Sequence, residues 1–230
     1  MHSIKKTLVM AVCLVGSWGT AFAIAPDFMD KLAAESRPTE DRIRDGARRP
    51  YQVMMLLGVE EGMTAVDVGA GGGWWTRVFS AAVGPSGTAI AQGRMRGDGE
   101  SLQALGNVQI IADDFGDMDE NLADVAVTAL NIHHSNAERG VPYMQGLYRI
   151  LKPGGVAAVI DHVGVPGGPN AQTHRMLPSD ARAWIEAAGL EIVEESEILS
   201  QNADDHTISA TDPRLGRNPD RFLFVVRKPE

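Results

Sequence analysis

The stretch at residues 65–75, "AVDVGAGGGWW", constrains the fold more than any other segment of the chain. A short apolar run ends in an acid and closely spaced glycines, and two tryptophans then begin a helical pattern. Glycine at this density costs backbone entropy, so something at the turn needs the space that side chains would fill. A glycine-rich turn from a strand into a helix lets a ligand approach the backbone.

Three ligand-binding motifs can be separated at this turn. A phosphate-binding loop requires Gly-Lys-Ser/Thr, which is absent here. The dinucleotide motif G-x-G-x-x-G requires a glycine where the chain has Trp74 or Thr76, so both registers fail. The spacing that remains is D-x-G-x-G-x-G, formed by Asp67, Gly69, Gly71 and Gly73.

Short apolar runs alternate with helical patterns through most of the chain. The predicted strands include "TAVDVG", "GTAIAQ", "VQIIADD", "ADVAVTALN" and "VAAVIDHV", and helical patterns lie between most of them. Uninterrupted apolar strands that alternate with helices indicate a parallel sheet with helices on both faces. Such sheets bind ligands at the carboxyl ends of their strands, so the candidate site residues lie there.

Five segments, in this order, resemble those of the class I S-adenosylmethionine-dependent methyltransferases. "VDVGAGGG" is similar to the family's first motif, "NVQIIADDF" to its adenine-binding segment and "ADVAVTALNIHH" to its fourth strand. "LYRILKPGGVAAVIDH" and "WIEAAGLEIVE" are similar to the elements that follow. The resemblance implies an α/β, Rossmann-like methyltransferase sandwich, with a mostly parallel seven-stranded sheet and helices on both faces. It also implies an enzyme that uses S-adenosylmethionine as its cofactor.

The resemblance implies cofactor-binding roles for residues at the ends of three strands. Asp67 would face the cofactor's amino group; the alternative is that it only caps a turn. The three glycines would line the methionine part and the ribose, and Asn131 lies in the loop beside the methyl group. Asp114, followed by Phe115, would hold the adenine, with Asp113 as the alternative if the register differs by one residue. A solvated loop is the alternative for both acids.

One position departs from the family's pattern. The family's second strand usually ends in an acid that binds both ribose hydroxyls, whereas this strand ends in Gln92, followed by Gly93. A neutral hydrogen bond contributes about 1 kcal/mol, which is less than a charge-assisted one contributes. We therefore expect Gln92 or Gly93 to occupy the ribose position and the cofactor to bind modestly.

Histidines at strand ends are the candidates for proton transfer, because the pKa of imidazole suits a general base near neutral pH. His162 follows the fifth strand and is the first choice for the base. His133 and His134 follow the fourth strand and are either bases or structural. With Asp161 and His174 they show no tight metal-ligand spacing such as H-E-x-x-H, so no metal site is predicted.

Arginines in two segments have two interpretations each. The four in "DRIRDGARRP" are most simply a solvated face, and contact with a substrate carboxylate or phosphate is the alternative. Arg175 lies in the glycine- and proline-rich segment "GVPGGPNAQTHRML", where a lid over the substrate is expected. It pairs either with a neighbouring acid or with an anionic substrate.

The first residues predict export. "MHSIKKTLVMAVCLVGSWGTAFA" has a basic start, an A-x-A site that ends at Ala23, and an apolar run shorter than a membrane span of roughly 20 residues. We expect cleavage after Ala23, a periplasmic or secreted protein and no stable membrane insertion. Cleavage removes Cys13, the only cysteine, and two lysines, which changes the net charge from −9 to −11.

The length of 230 residues fits one domain with a full core. The predicted organisation is a signal peptide at 1–23, an N-terminal helical segment at 24–62 and a Rossmann-like methyltransferase domain at 63–230. The acidic net charge argues against a sequence-independent nucleic-acid binder. The predicted function is an exported methyltransferase of a small molecule. The alternative is a non-catalytic exported binding protein that holds a nucleoside-like ligand; a nicotinamide oxidoreductase is disfavoured by the failed dinucleotide motif.

Overall fold

The computed structural model describes residues 23–97, 99–111, 114 and 118–230. The strands within them are β1 Thr64–Val68, β2 Thr88–Gln92, β3 Val108–Ile111, β4 Ala123–Ala129, β5 Leu151–His162, β6 Glu191–Ser196 and β7 Arg221–Arg227. The helices are α1 Phe28–Ala33, α2 Thr39–Arg48, α3 Pro50–Leu56, α4 Trp74–Val83, α5 Glu100–Gln103, α6 Ala137–Ile150 and α7 Pro178–Ala187. A short 3-10 helix, Ile132–His134, follows β4.

The strands form one seven-stranded sheet in the order β3-β2-β1-β4-β5-β7-β6. The pairs from β3 through β5 are parallel, whereas β7 runs antiparallel to both β5 and β6. The predicted Rossmann-like fold with a mostly parallel seven-stranded sheet is therefore confirmed. The strand order reverses at β1, so a crevice opens beyond the carboxyl ends of β1 and β4.

Side chains alternate between the two faces of the sheet along each strand, so both faces carry apolar side chains. Helices cover both faces. On one face, Val78 of α4 packs in a buried core with Phe28 of α1 and Val53 of α3. On the other face, Met144 of α6 and Ile185 of α7 belong to a second buried core. The helices at the start of the chain thus contribute to the same core as the sheet.

The serines near the starts of two helices do not act as N-caps. Ser36 does not cap α2, which begins at Thr39 after Pro38 and has no side-chain cap. Ser179 does not cap α7, because Pro178 already occupies its first turn and Leu177 is the N-cap residue. Proline favours the first helical position since it lacks an N–H and has a fixed φ.

The predicted signal peptide lies almost entirely outside the described residues, which begin at Ala23. Within the described part of the chain, every helix is too short or too polar to cross a bilayer.

Two glycines inside helices allow the packing of α6 against α7 to be tested. Gly140 of α6 is buried, and a Cβ there would overlap the indole of Trp184 in α7. Gly46 of α2 is exposed, and its Cβ would meet no atom within 4 Å. We expect Gly140→Ala to lower the free energy of unfolding by about 1–3 kcal/mol, because overpacking displaces the indole. Gly46→Ala should raise it by about 0.5–1 kcal/mol, because alanine has the higher helix propensity.

Urea unfolding followed by circular dichroism measures both changes. Gly46→Ala is the matched control, since it makes the same exchange in a helix with open space. A Gly140→Ala variant as stable as the Gly46→Ala variant would contradict the described contact between α6 and Trp184.

Candidate active site

The glycine turn after β1 adopts a conformation that other residues rarely adopt. Gly69, Gly71 and Gly73 have φ values of 69°, 55° and 73°, all in the left-handed region. Helix α4 begins directly after them, at Trp74. In this region a side chain costs roughly 1–2 kcal/mol per residue, so glycine is required by the backbone before any ligand is considered.

Side chains from two neighbouring strands hold this turn in place. Gln92, at the end of β2, accepts a hydrogen bond from the Gly69 N–H through Oε1 at 3.1 Å, and its carbonyl accepts one from the Ala70 N–H at 2.9 Å. Asn131, after β4, donates through Nδ2 to the Val68 carbonyl at 3.0 Å. The glycine turn is thus fastened to both strands that flank β1.

Each of the three glycines makes room for a different neighbour. A Cβ on Gly69 would overlap the amide of Asn131, and a Cβ on Gly73 would lie 2.6 Å from Leu102 Cδ1 of α5. A Cβ on Gly71 would meet nothing closer than the Gly69 carbonyl oxygen, at 3.8 Å. Of these three glycines, only Gly71 therefore leaves open space for a ligand where its side chain would be.

A cavity of about 670 Å³ opens above the glycine turn, at the carboxyl edge of the sheet. Gly69 and Gly71 line it together with Gly72 and Trp75. The backbone N–H groups of Gly71 and Gly72 donate no hydrogen bond to any described residue. Two unpaired N–H groups beside open space are suited to bind an anionic group such as a carboxylate.

Two predicted ribose and methionine contacts need correction. Gly73 does not line the cavity, because its α-carbon faces Leu102 in the packing of α5. Gln92 does not line the cavity either; it is buried, and its side-chain Oε1 accepts from the Gly69 N–H instead of facing a ribose. Its contribution to a ligand site is to brace the turn.

Asp67, at the end of β1, caps a turn and also lines the cavity, while its contact with the cofactor's amino group stays a prediction. Its Oδ2 accepts hydrogen bonds from the backbone N–H and the hydroxyl of Thr76, at 2.8 and 2.7 Å, and so caps the first turn of α4. It also lines the cavity, where it is the only carboxylate in the described lining. Burial raises the pKa of Asp67 to about 6, although the Thr76 hydrogen bonds act in the opposite direction.

Helix α2 is anchored beside the turn through Trp74. The Trp74 Nε1 donates to the Asp41 carbonyl at 3.0 Å, and the Asp41 carboxylate pairs with Arg77 at 3.2 Å. The Arg48 guanidinium lies over the Trp74 ring, 4.8 Å from its centroid. Trp74 and Trp75 meet edge to face at 4.5 Å, and both line the cavity, so Trp74 connects α2 to the wall of the cavity.

A buried carboxylate, Asp161, organises the ends of β4 and β5. Its Oδ2 accepts from the N–H groups of Ile132 and His133, both at 3.0 Å, and its Oδ1 accepts from the His162 N–H at 2.8 Å. Asp161 Oδ1 also lies 2.7 Å from His133 Nδ1. A carboxylate at Nδ1 fixes that nitrogen as the proton donor and leaves Nε2 as the acceptor.

His162 lies at the end of β5 and lines the cavity, as predicted from its position. Its Nδ1 donates to the His174 carbonyl at 3.0 Å. Burial lowers the pKa of His162 to about 4, so the ring is neutral at pH 7 and a weak base. A general base is most effective with a pKa near the operating pH, which weakens the case for His162 as the first choice.

Three imidazoles come together over the cavity. A ring nitrogen of each of His133, His134 and His174 lies within 4.8 Å of the others. His174 is held with a left-handed φ of 54°, beside Arg175, which makes a buried bidentate ion pair with Asp204. Of the two partners considered for Arg175, the structure therefore shows an acid of the protein, Asp204. The imidazoles could hold a metal ion, but the arginines of the same cavity oppose a cation, so the absence of a metal site stays a prediction.

The predicted adenine contacts are only partly within the described residues. Asp114 is exposed in a loop after β3. Asp113 and Phe115 lie outside the described residues. The roles of these three residues stay predictions.

Among the described residues, five arginines line this cavity: Arg44, Arg48, Arg94, Arg96 and Arg221. For Arg44 and Arg48, contact with an anionic ligand was the alternative to a solvated face, whereas the other three were not predicted from the sequence. Arg221 begins β7, and because β7 is antiparallel its first residue lies at the carboxyl edge of the parallel strands, opposite His162. If the antiparallel direction of β7 had been predicted from the sequence, Arg221 would have been placed at the site.

Comparison with known proteins agrees with this geometry. Residues 66–159 match the family described as a methyltransferase domain. A demethylmenaquinone methyltransferase of Staphylococcus carnosus is 30% identical over 116 residues, which are 48% of this chain and 47% of that protein. The match therefore spans about half the length of that relative.

Solved structures of similar fold include two methyltransferases. A SAM-dependent methyltransferase from Aquifex aeolicus has a TM-score of 0.59 and 20% identity, over 89% of this chain and 98% of that one. The Burkholderia thailandensis 1,6-didemethyltoxoflavin-N1-methyltransferase has a TM-score of 0.60 and 19% identity, over 89% of this chain and 86% of that one. Residues 66–159 thus match a methyltransferase domain, and the solved structures share the fold of the chain. Both findings support the methyltransferase family and the S-adenosylmethionine cofactor that the sequence predicts.

The pKa of Asp67 predicts how cofactor binding depends on pH. Only the ionised carboxylate attracts the amino group of S-adenosylhomocysteine, and its fraction falls as the pH drops through about 6. We expect the Kd for S-adenosylhomocysteine to rise about tenfold between pH 7.5 and pH 5, because the competent fraction falls by that factor. Calorimetric titration at both pH values measures the change.

5′-Methylthioadenosine serves as the control ligand, because it lacks the amino group and should bind equally at both pH values. Asp67→Asn should abolish the pH dependence for S-adenosylhomocysteine. A parent protein whose affinity for both ligands changes in parallel with pH would contradict the assigned role of Asp67.

Proposed function

We propose that this protein transfers the methyl group of S-adenosylmethionine to a small molecule, and that it does so outside the cytoplasm. The observation that carries the proposal is that an acid and a set of N–H donors lie together at the glycine turn. Asp67 offers a negative charge, and the unpaired N–H groups of Gly71 and Gly72 offer donors, beside the same open space.

This arrangement fits the amino-acid part of the cofactor. The Asp67 carboxylate suits an ammonium group, and the N–H groups of Gly71 and Gly72 suit a carboxylate. The space beside Gly71, which a side chain would fill, leaves room for both. Bound S-adenosylmethionine supplies an electrophilic methyl group, and the other side of the cavity belongs to the acceptor.

The histidines favour an acceptor that loses a proton. We assign His133 as the proton acceptor, because Asp161 orients its ring and leaves Nε2 available at the cavity. His134 is exposed beside it, at a ring-to-ring distance of 4.0 Å. Its pKa is lowered by burial and by the neighbouring imidazoles, so it too is neutral at pH 7. His162 contributes a neutral ring that can orient the acceptor.

A small-molecule acceptor is supported by the volume and enclosure of the cavity. At about 670 Å³ it is in the range of small-ligand sites, roughly 300–1,000 Å³. The relative from Staphylococcus carnosus is named for a methyl acceptor of that kind, demethylmenaquinone. The acceptor of this chain is a separate question, because the match covers only half of either protein.

Binding of S-adenosylhomocysteine to a Gly71→Val variant tests the proposal. The valine side chain enters the open space, and we expect affinity to fall by more than about tenfold. Gly106→Val is the matched control: Gly106 has a φ of 84°, and its Cβ would also meet nothing within 4 Å, but it lies outside the cavity. Both variants carry similar backbone strain, so only the loss of binding should differ.

Calorimetric titration with S-adenosylhomocysteine and with NAD provides the measurement. Binding of the first ligand alone, lost in Gly71→Val and kept in Gly106→Val, is the expected result. A parent that binds no adenosyl ligand would contradict the proposed function, and the binding-protein alternative would then be preferred.

Export rests on the layout of residues 1–23, with its basic start, apolar run and A-x-A site. Cleavage after Ala23 would keep the hydrogen bond from the Ala25 N–H to the Ala82 carbonyl at 2.9 Å and would remove the one from the Glu61 N–H to the Ala23 carbonyl at 2.9 Å. We expect the intact mass of the secreted or periplasmic protein to correspond to a chain that starts at Ile24. Retention of Met1 in the mature protein, or its recovery with cytoplasmic markers, would contradict export.

A further inference from the structure

Buried arginines in this fold usually have a carboxylate partner. Arg37 is paired with Asp45, and Arg175 is paired with both oxygens of Asp204 at 2.8 and 2.9 Å. Pairing is expected, because an uncompensated charge away from water is costly. A buried arginine without such a partner therefore requires an explanation.

Arg221 is such an arginine. It is 4% exposed, and its two terminal nitrogens donate to the carbonyls of Ala47 at 3.0 Å and Arg217 at 3.1 Å. Its Nε is buried and has no partner among the described residues. No described carboxylate lies within ion-pair distance of it, and the charges of Asp220, Asp161 and Asp204 act on it only from farther away. Two of the five N–H donors of a guanidinium are thus used, both on neutral oxygens.

Arg48 places a second positive charge in the same cavity. It follows Ala47, the residue whose carbonyl Arg221 binds, and it lines the same cavity. Its guanidinium lies over Trp74, and within the described residues it forms no ion pair. Burial lowers the pKa of Arg48 and of Arg221 to about 10, so both remain charged at pH 7.

The surroundings of the pair indicate the side of the cavity that it serves. Arg221 pairs with His162 across β5 and β7, so it lies on the acceptor side. Trp75, Ile160 and Leu199 supply apolar lining to the same cavity. The proposed function assigns the cofactor's own carboxylate to the N–H groups of Gly71 and Gly72, so these arginines are not needed for it.

We propose that Arg48 and Arg221 form a binding site for an acidic group, a carboxylate or a phosphate, on an apolar methyl acceptor. This proposal rests on the proposed function, because it assigns the acceptor's chemical class. Two guanidinium groups that line one cavity and interact electrostatically offer several charged donors, and such donors bind planar or tetrahedral oxyanions strongly.

Three small aromatic probes test the site: benzoate, phenyl phosphate and the neutral benzyl alcohol. Their binding to the parent protein, without cofactor, is measured by ligand-observed NMR at constant ionic strength. We expect at least one of the two anions to bind at least about tenfold more tightly than benzyl alcohol. The anion that binds more tightly identifies the acceptor's acidic group as a carboxylate or a phosphate.

Variants locate the binding. Arg48→Gln and Arg221→Gln should each weaken anion binding by about tenfold or more and leave benzyl alcohol unaffected. Arg214→Gln is the matched control, because Arg214 is exposed, pairs with Asp212 and lies outside the cavity. If Arg221→Gln unfolds, because its contacts with α2 are lost, Arg48→Gln decides the question, since Arg48 has no hydrogen bond to lose among the described residues.

Two outcomes would overturn the proposal. The first is equal binding of the anions and benzyl alcohol, or anion binding that neither cavity variant weakens. The second is a loss of affinity for S-adenosylhomocysteine, but not for 5′-methylthioadenosine, in both variants, which would assign the arginines to the cofactor's carboxylate. Anion binding at these arginines in a parent that binds no adenosyl ligand would support the site and reject only the proposed function.

Discussion

The left-handed backbone of the turn after β1 is the constraint on which the candidate site depends. Gly69, Gly71 and Gly73 all have positive φ, so the chain leaves the sheet and enters α4 within five residues. Gln92 and Asn131 hold the turn from the strands on either side. This arrangement leaves the N–H groups of Gly71 and Gly72 beside open space at the point where the strand order reverses.

Some charged groups around this turn bind other parts of the protein, whereas others line the cavity where a ligand could bind. Asp161 is fully buried, and its two oxygens accept hydrogen bonds from the backbone and from His133. It therefore fixes the loop after β4 and orients an imidazole. One oxygen of Asp67 accepts hydrogen bonds from α4, and the residue also lines the cavity. Arg175 is neutralised by Asp204, whereas Arg221 has only carbonyl partners. Asp67 and Arg221, which both line the cavity, therefore have capacity to bind a ligand there.

The sequence predicted the fold and the location of the site well, because both depend on local patterns. Apolar strands, glycine spacing and the order of segments require no knowledge of distant contacts. The wrong predictions concern side chains whose partners are distant in sequence. Gln92 binds Gly69 instead of a ribose, and Gly73 makes room for Leu102, a residue in α5. Arg221 was missed because its position depends on the direction of β7, which the apolar pattern of that strand does not reveal.

A crystal structure of the protein grown with S-adenosylhomocysteine tests the central claim most directly. The account predicts the ligand in the cavity above the glycine turn, with its carboxylate on the N–H groups of Gly71 and Gly72 and its amino group on Asp67. The arginine pair at Arg48 and Arg221 should stay free of the cofactor and face the space left for an acceptor. A ligand bound elsewhere, or one whose carboxylate contacts Arg221 instead of the glycine turn, would contradict the account.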